Sequence, residues 1–331
     1  MQDLAQLPKA HLHLHLTGGM RPTTLLELAA EQGRTLPPGL LVPGGLEQVA
    51  RRGWIKFQRL YDAARDLLRG PDDVRRLVYE IALDERAAGS GWVEVQADPS
   101  SYAARLGGLG ATVELLLDAM TQACAATGVG MALVVAANRT RHPGDAETLA
   151  RLAARYAGRG VVGFGLSNDE TRGDTAAFAK AFRIAREAGL AGVPHAGEMR
   201  GPGSVRLAVE HLAPVRLGHG VRAIEDPAVV SLLVERGVVL EVCPASNVAL
   251  GVRGSVAEVP VRELRAAGVE VVLGADDPLV FRSGLLAQYA PYPPDLAADL
   301  AAASIRASFA PAPVKARLLA GIDAWRADCT D

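Results

Sequence analysis

The sequence predicts an α/β protein of the TIM (β/α)8 barrel class, with a helical insertion between the first and second strands. Three observations predict it. Eight short apolar or β-branched runs recur along the 331 residues, amphipathic segments closing near a glycine lie between them, and titratable residues stand at the ends of several runs. An open doubly wound sheet is disfavoured, because no Gly-x-Gly-x-x-Gly and no Gly-Lys-Ser/Thr loop follows a strand. No linker or repeat divides the chain, so residues 1–331 read as a single domain.

The first run, His11-Leu12-His13-Leu14-His15-Leu16, alternates imidazole with leucine. A strand there places three histidines on one side and three leucines on the other. Imidazole is the commonest metal ligand and is costly to bury alone, so such a row needs a metal or a polar network. Pro22 then suits a first helical turn and Gly33 a helix stop. From there to about residue 90 no clear strand is seen. Trp54, Phe57, Leu60 and Tyr61 fall at i, i+3, i+6 and i+7, one apolar face of a helix. Most of that face belongs in the core, although the insertion is long enough to fold over an active site with Trp54 and Phe57 walling a substrate pocket.

Seven further strands are expected at 92–96, 131–135, 161–165, 192–195, 215–219, 238–242 and 269–274, with amphipathic helices such as 205–212, 227–236 and 261–267 between them.

Composition narrows the partners. At 49% hydrophobic and 22% charged the chain can bury a large core, and a formal net charge of −2 gives no electrostatic case for nucleic acid or an anionic membrane. No stretch approaches the roughly 20 apolar residues of a spanning helix, and the N-terminus has no basic segment followed by an apolar run, so a cytoplasmic protein is expected. Cys124, Cys243 and Cys329 form no Cys-x-x-Cys pair, so any metal must be held by histidine and carboxylate. The expected partner is a small molecule, with a homo-oligomer left open.

Catalytic groups of such barrels sit at the C-terminal ends of the strands. On that map His13 and His15 end strand one, His195 ends strand five with Glu198 one short loop on, His219 ends strand six, and Asp276-Asp277 ends strand eight. Each alone could be structural; together at one barrel mouth they read as a site. Three histidines and a carboxylate suit Zn²⁺ with a water completing the shell, whose pKa the metal lowers to about 7. A carboxylic acid to protonate the substrate and a His or Asp to orient the water would complete the chemistry.

Leu7-Pro8-Lys9 through Gly19, Pro194-His195-Ala196-Gly197-Glu198, Leu217-Gly218-His219-Gly220, Cys243-Pro244-Ala245-Ser246-Asn247 and Leu273-Gly274-Ala275-Asp276-Asp277-Pro278 resemble, in order and over nearly the whole chain, the adenosine deaminase family of the amidohydrolase superfamily. The resemblance implies one Zn²⁺ per chain held by His13, His15, His195 and Asp276. It implies that Glu198 protonates purine N1, that His219 and Asp276 position the hydroxide, and that Asp277 faces N7. The segment Gly165-Leu166-Ser167-Asn168-Asp169-Glu170 looks like the family's Gly-Asp-Glu loop, with Asn168 where a glycine offers its N–H to N3. The reaction implied is addition of hydroxide at C6 of an adenine ring and loss of ammonia, with an elevated Glu198 pKa.

One departure bears on the substrate. Where adenosine deaminases read His-Leu-Asp-Gly, this chain has His15-Leu16-Thr17-Gly18, which removes an acceptor for a ribose hydroxyl and a source of repulsion toward an anionic 5′ substituent. That resembles the branch acting on 6-amino-6-deoxyfutalosine, a menaquinone precursor, which ranks first, with adenosine second. The substrate-facing set is then Asp277, Asn168, Thr17, His15, Trp54 and Phe57, and Arg21, Arg51, Arg52 and Arg59 are candidates to meet a carboxylate.

Rival readings have less support. A binuclear hydrolase would carry a lysine at the end of strand four, and Lys9, Lys56, Lys180 and Lys315 all lie elsewhere; a mononuclear amidohydrolase of another specificity remains an alternative. The His-x-Glu and Pro-Cys-x-x-Cys ligands of zinc cytidine deaminases are absent. A non-catalytic nucleoside-binding descendant would have lost a ligand or the acid. His11, one step deeper than His13, is expected to be buried and hydrogen-bonded rather than a ligand.

Overall fold

A computed structural model of the chain describes residues 3–41 and 54–327. Eight strands, β1 (Lys9–His15), β2 (Ser90–Ala97), β3 (Gly130–Asn138), β4 (Val161–Ser167), β5 (Ala191–Ala196), β6 (Arg216–His219), β7 (Val239–Val242) and β8 (Val271–Leu273), pair in parallel in sequence order. The ring closes by backbone bonds after β8, from His15 N to Asp276 O and from Asp276 N to His13 O, each 3.0 Å. The expected barrel is therefore the observed one. Its eighth strand is shorter than the 269–274 run, because Val269 and Glu270 still belong to the approach from the preceding helix.

Local rules account for the helices between. Proline stands in the first turn of 22–31, 71–87, 143–154, 202–212, 227–236 and 294–307, where its missing N–H costs no helical bond. The helix 227–236 is also capped by Asp226, whose side chain accepts from Ala228 N, and stopped by Gly237 at φ 62°.

The insertion between β1 and β2 is helical among its described residues: α1 (Pro22–Glu31), α2 (Pro38–Leu41), α3 (Trp54–Arg65) and α4 (Pro71–Ala87). Val74, Leu77, Val78 and Ile81 make the buried stripe of α4, each contributing about 1.5–3 kcal/mol by leaving water. On α3, Phe57 and Leu60 are buried while Trp54 and Tyr61 are half-buried toward the barrel mouth.

The barrel interior holds charge as well as aliphatic side chains. Arg216 is fully buried, bonded to Glu94 and, at 2.5 Å, to Glu241, with its guanidinium 4.1 Å from the Phe309 ring centroid. Buried charges persist only when paired in this way.

Candidate active site

Strict alternation does not carry all three β1 histidines into one cluster. The register with β2 shifts between His11 and Leu14, and His11 bonds instead to Glu85 of α4 at 2.7 Å and accepts from Ala275 N at 2.9 Å. It is buried and hydrogen-bonded, as its depth in the strand implied. His13 and His15 converge with groups from other strands. His15 Nε2 lies 3.2 Å from His195 Nε2 and 3.1 Å from Asp276 Oδ1, and His13 Nε2 lies 3.5 Å from the same oxygen. His219 Nε2 stands 3.5 Å from Glu198 Oε1 and 4.0 Å from Asp276 Oδ2.

These positions are built by backbone that most sequences avoid. Asn168, His219 and Asp276 have φ of 79°, 62° and 60°, three of the five non-glycine residues with positive φ among those described. Such strain concentrates where the surrounding structure holds a group in a working orientation. Gly218 is needed between its neighbours, since a Cβ there would lie 2.7 Å from His13 Cε1. Gly18 backs Asp277 so closely that a Cβ would come within 1.9 Å of Asp277 Oδ1.

Second partners set each orientation. Glu241 accepts from His13 Nδ1 at 2.8 Å, leaving Nε2 turned inward with no hydrogen bond although buried. Ser246 Oγ donates to Asp276 Oδ2 at 2.7 Å. The Glu198 loop is tied by one carboxylate: Glu170 accepts from the N–H groups of Gly197, Glu198, Met199 and Arg200 at 2.6–3.0 Å and from Ser204 Oγ at 2.5 Å.

The electrostatics separate the carboxylates. Burial, then the charges of Asp276 and Glu170, hold Glu198 well above the ordinary carboxylate range. Burial and the adjoining Asp276 do the same to Asp277. Burial would raise Asp276, but the neighbouring imidazoles of His13, His15 and His219 outweigh it and hold Asp276 well below its usual value. Among the imidazoles, burial pulls His219 down to about 3 and holds His195 well below its ordinary value, so both are neutral bases. Burial also opposes a proton on His13, but Asp276 and Glu241 outweigh it and lift His13 to about 10. The surroundings thus favour the protonated form of Glu198 and Asp277 and the ionised form of Asp276.

The donor atoms of His13, His195, His219 and Asp276 lie within 4.8 Å of one another, and those of His15, Asp276 and Asp277 form an overlapping group. Histidine nitrogen with one carboxylate oxygen is a donor set for Zn²⁺. The buried, unbonded His13 Nε2 and two imidazole Nε2 atoms at 3.2 Å, which can share at most one proton, fit a cation among them.

The cavity above these groups is lined by His15, His195, Glu198, His219, Asp276, Asp277 and Asn168 at its base and by Trp54, Phe57 and Tyr61 of α3 at its wall. Trp54 and Phe57 both line this cavity, with Phe57 stacked on Phe281. Thr17 does not line the cavity; it is fully buried, and its hydroxyl meets Tyr102 Oη at 2.8 Å, leaving Tyr102 as the lining residue. Of the arginines considered for an anionic tail, Arg21 pairs with Asp84 away from the cavity, Arg51 and Arg52 lie outside the described residues, and Arg59 borders only an outer chamber. Arg65 of α3 is the arginine that reaches the cavity wall. Its position four residues after Tyr61, on the same helix face, was the available signal.

Comparison with known proteins follows the same line. The adenosine deaminase family's profile matches residues 8–325. A Streptomyces virginiae protein provisionally named adenosine/adenine deaminase is 56% identical over 98% of both chains. An aminodeoxyfutalosine deaminase from Acidothermus cellulolyticus is 35% identical over 86% of this chain and 81% of its own. The crystal structure of an adenine deaminase from Arthrobacter aurescens superposes with a TM-score of 0.87 at 30% identity, covering 97% of this chain and 99% of that one.

Proposed function

The chain belongs to the adenosine deaminase family of hydrolytic enzymes acting on C–N bonds, and from that premise we propose that it deaminates a 6-aminopurine ring at C6, releasing ammonia and leaving a 6-oxopurine. The observation that carries the reading is geometric: donor atoms of His13, His195, His219 and Asp276 lie within 4.8 Å of one another, with Glu198 3.5 Å from His219 and Asp277 beside them in the lining of one cavity.

We assign His13, His15, His195 and Asp276 as ligands of one Zn²⁺ per chain. His15 is preferred to His219 because its Nε2 is 3.1 Å from Asp276 Oδ1, whereas His219 stands back at 4.0 Å from that carboxylate. Zn²⁺ bound there would lower the pKa of a coordinated water and polarise it for attack. His219 and Asp276 would orient the attacking water, and the neutral His219 imidazole would take up its proton. Glu198 delivers a proton to N1 as C6 becomes tetrahedral, Asp277 donates to N7, and the Asn168 N–H faces N3. At φ 79° Asn168 holds the conformation that the family's glycine would take.

The ring, rather than its substituent, is what this geometry recognises, and adenine and adenosine are the first substrates to test, in keeping with the provisional name of the Streptomyces relative. 6-Amino-6-deoxyfutalosine becomes the second reading. Its ranking from sequence rested on the missing carboxylate at Thr17, a residue that is buried against Tyr102 and does not line the cavity; Arg65, with a buried Nε that has no partner, is the observation that still favours an anionic tail. Ammonia release and the adenine-to-hypoxanthine absorbance change, measured on all three compounds with zinc content determined, test the proposal. Turnover of none of them with zinc bound would refute it.

A further inference from the structure

A chain of hydrogen bonds crosses the mouth of the cavity. Trp54 Nε1 donates to Asn168 Oδ1 at 3.3 Å, and Asn168 Nδ2 donates to Gln58 Oε1 at 3.2 Å. Gln58 Nε2 then donates to Asp62 Oδ1 at 2.8 Å, which also accepts from Arg65 Nη2 at 2.6 Å. Trp54, Gln58 and Asp62 are spaced four apart on α3, so they stand on one helix face, and Asn168 meets them from the end of β4.

Residues of this bar are shared by the linings of two chambers. Trp54, Gln58, Arg65 and Asn168 line both the inner cavity, with its buried histidines and carboxylates, and an outer one bordered by Arg59, Arg141 and Arg172. In the orientation proposed above, Glu198 takes N1, Asp277 N7 and the Asn168 N–H N3. That leaves N9 as the edge of the ring directed out of the inner chamber, toward the bar.

We infer that the Trp54–Asn168–Gln58 bar is a specificity element that selects the free 6-aminopurine base over its N9-substituted nucleosides. The inference rests on the deaminase reading and on the ring orientation it assigns. Any compound must pass the bar while it is open, but only a ring bearing hydrogen at N9 lets it close again behind the substrate. Closure matters because it keeps bulk water from the groups that hold protons for the reaction. A sugar at N9 must instead keep at least one of the bar's hydrogen bonds broken throughout turnover. Asn168 is suited to the post: asparagine tolerates the left-handed conformation better than most residues and brings a side-chain amide that donates and accepts at once.

The test compares adenosine with adenine on the zinc-loaded wild type, Asn168→Gly and Gln58→Ala, reading the ratio of their kcat/KM values, with calorimetric binding of inosine and hypoxanthine alongside. Glycine at 168 keeps the backbone N–H and its positive φ while deleting the bar. We expect the wild type to favour adenine, and the adenosine-to-adenine ratio to rise about 10-fold or more in both variants, the discrimination a single steric group supplies; inosine should gain affinity relative to hypoxanthine in parallel. A wild type that prefers adenosine, or ratios unchanged in both variants, overturns the inference while leaving the deaminase reading intact. Loss of all turnover in the wild type refutes that reading instead, and the calorimetric ratio then still decides whether the bar sorts ligands by size.

Discussion

At the scale of single residues the proposed mechanism depends on one carboxylic acid, Glu198, that must keep its proton. Glu198 is held above the ordinary carboxylate range by burial and by the charges of Asp276 and Glu170. Activity should therefore survive to higher pH than an ordinary glutamic acid allows and fall as pH rises through the Glu198 value, where the acid becomes an anion. Glu198→Gln should cost about 10²–10⁴-fold in kcat with zinc still bound, the usual worth of a positioned proton donor; near-normal turnover would remove Glu198 from that role. Glu170 acts one step back. It binds the four N–H groups of the Glu198 loop, and it supplies part of the negative potential that raises Glu198. Replacing it with glutamine removes that charge, so the Glu198 anion becomes easier to form and the alkaline limb of the pH–rate profile should move to lower pH. A merely structural role would lower kcat without moving the limb. Glu198 could be singled out in sequence because it ends a motif; the cradle could not, since Glu170 lies 28 residues before Glu198 and only the fold joins them.

At the scale of elements, the β1 end and the turn after β8 are fitted to each other. Period-two reading aligns His11, His13 and His15 on one side; the β1–β2 register shifts after His11, and His11, set apart by its depth, turns to Glu85 and Ala275. The helical insertion was visible as an apolar face on α3, whereas the polar face that lines both chambers was not, because Gln58, Asp62 and Arg65 look like any solvated helix surface until Asn168 is brought to them. Thr17, two residues after the proposed ligand His15, is turned into the wall, where its hydroxyl meets Tyr102 and it does not line the cavity. Gly18, beside it, is the element-level constraint that motif reading could quote without explaining. A Cβ there would sit 1.9 Å from Asp277 Oδ1 and 2.7 Å from Asp277 Cα, so backbone as well as side chain would have to move. Gly18→Ala should cost about 1–3 kcal/mol in stability, as overpacking does, and displace Asp277 from N7. Urea unfolding checks the first effect, and a KM increase larger than the kcat loss checks the second.

At the scale of the whole molecule, the proposed metal donors and the barrel's inner charges form one connected system. Glu94, Arg216 and Glu241 are fully buried, and Glu241 bonds both Arg216 and His13 Nδ1. The zinc proposed for the mouth should stabilise the fold by mass action, by about 4 kcal/mol when free metal is a thousandfold above Kd, so chelation should lower Tm as well as abolish turnover. The network beneath it separates stability from metal affinity. Arg216→Met leaves two buried carboxylates without their cation and should cost about 3–5 kcal/mol by denaturant unfolding. Adding Glu94→Gln and Glu241→Gln removes those charges and should recover much of that loss, because the penalty is for an uncompensated charge and not for a missing contact. Metal affinity should not recover with it. Glutamine at 241 no longer offers His13 Nδ1 a carboxylate, and loss of such a partner typically weakens a metal site about 10- to 100-fold. A triple variant that regained zinc affinity together with stability would show that Glu241 serves the barrel's charge balance alone and that His13 needs no partner to face the metal.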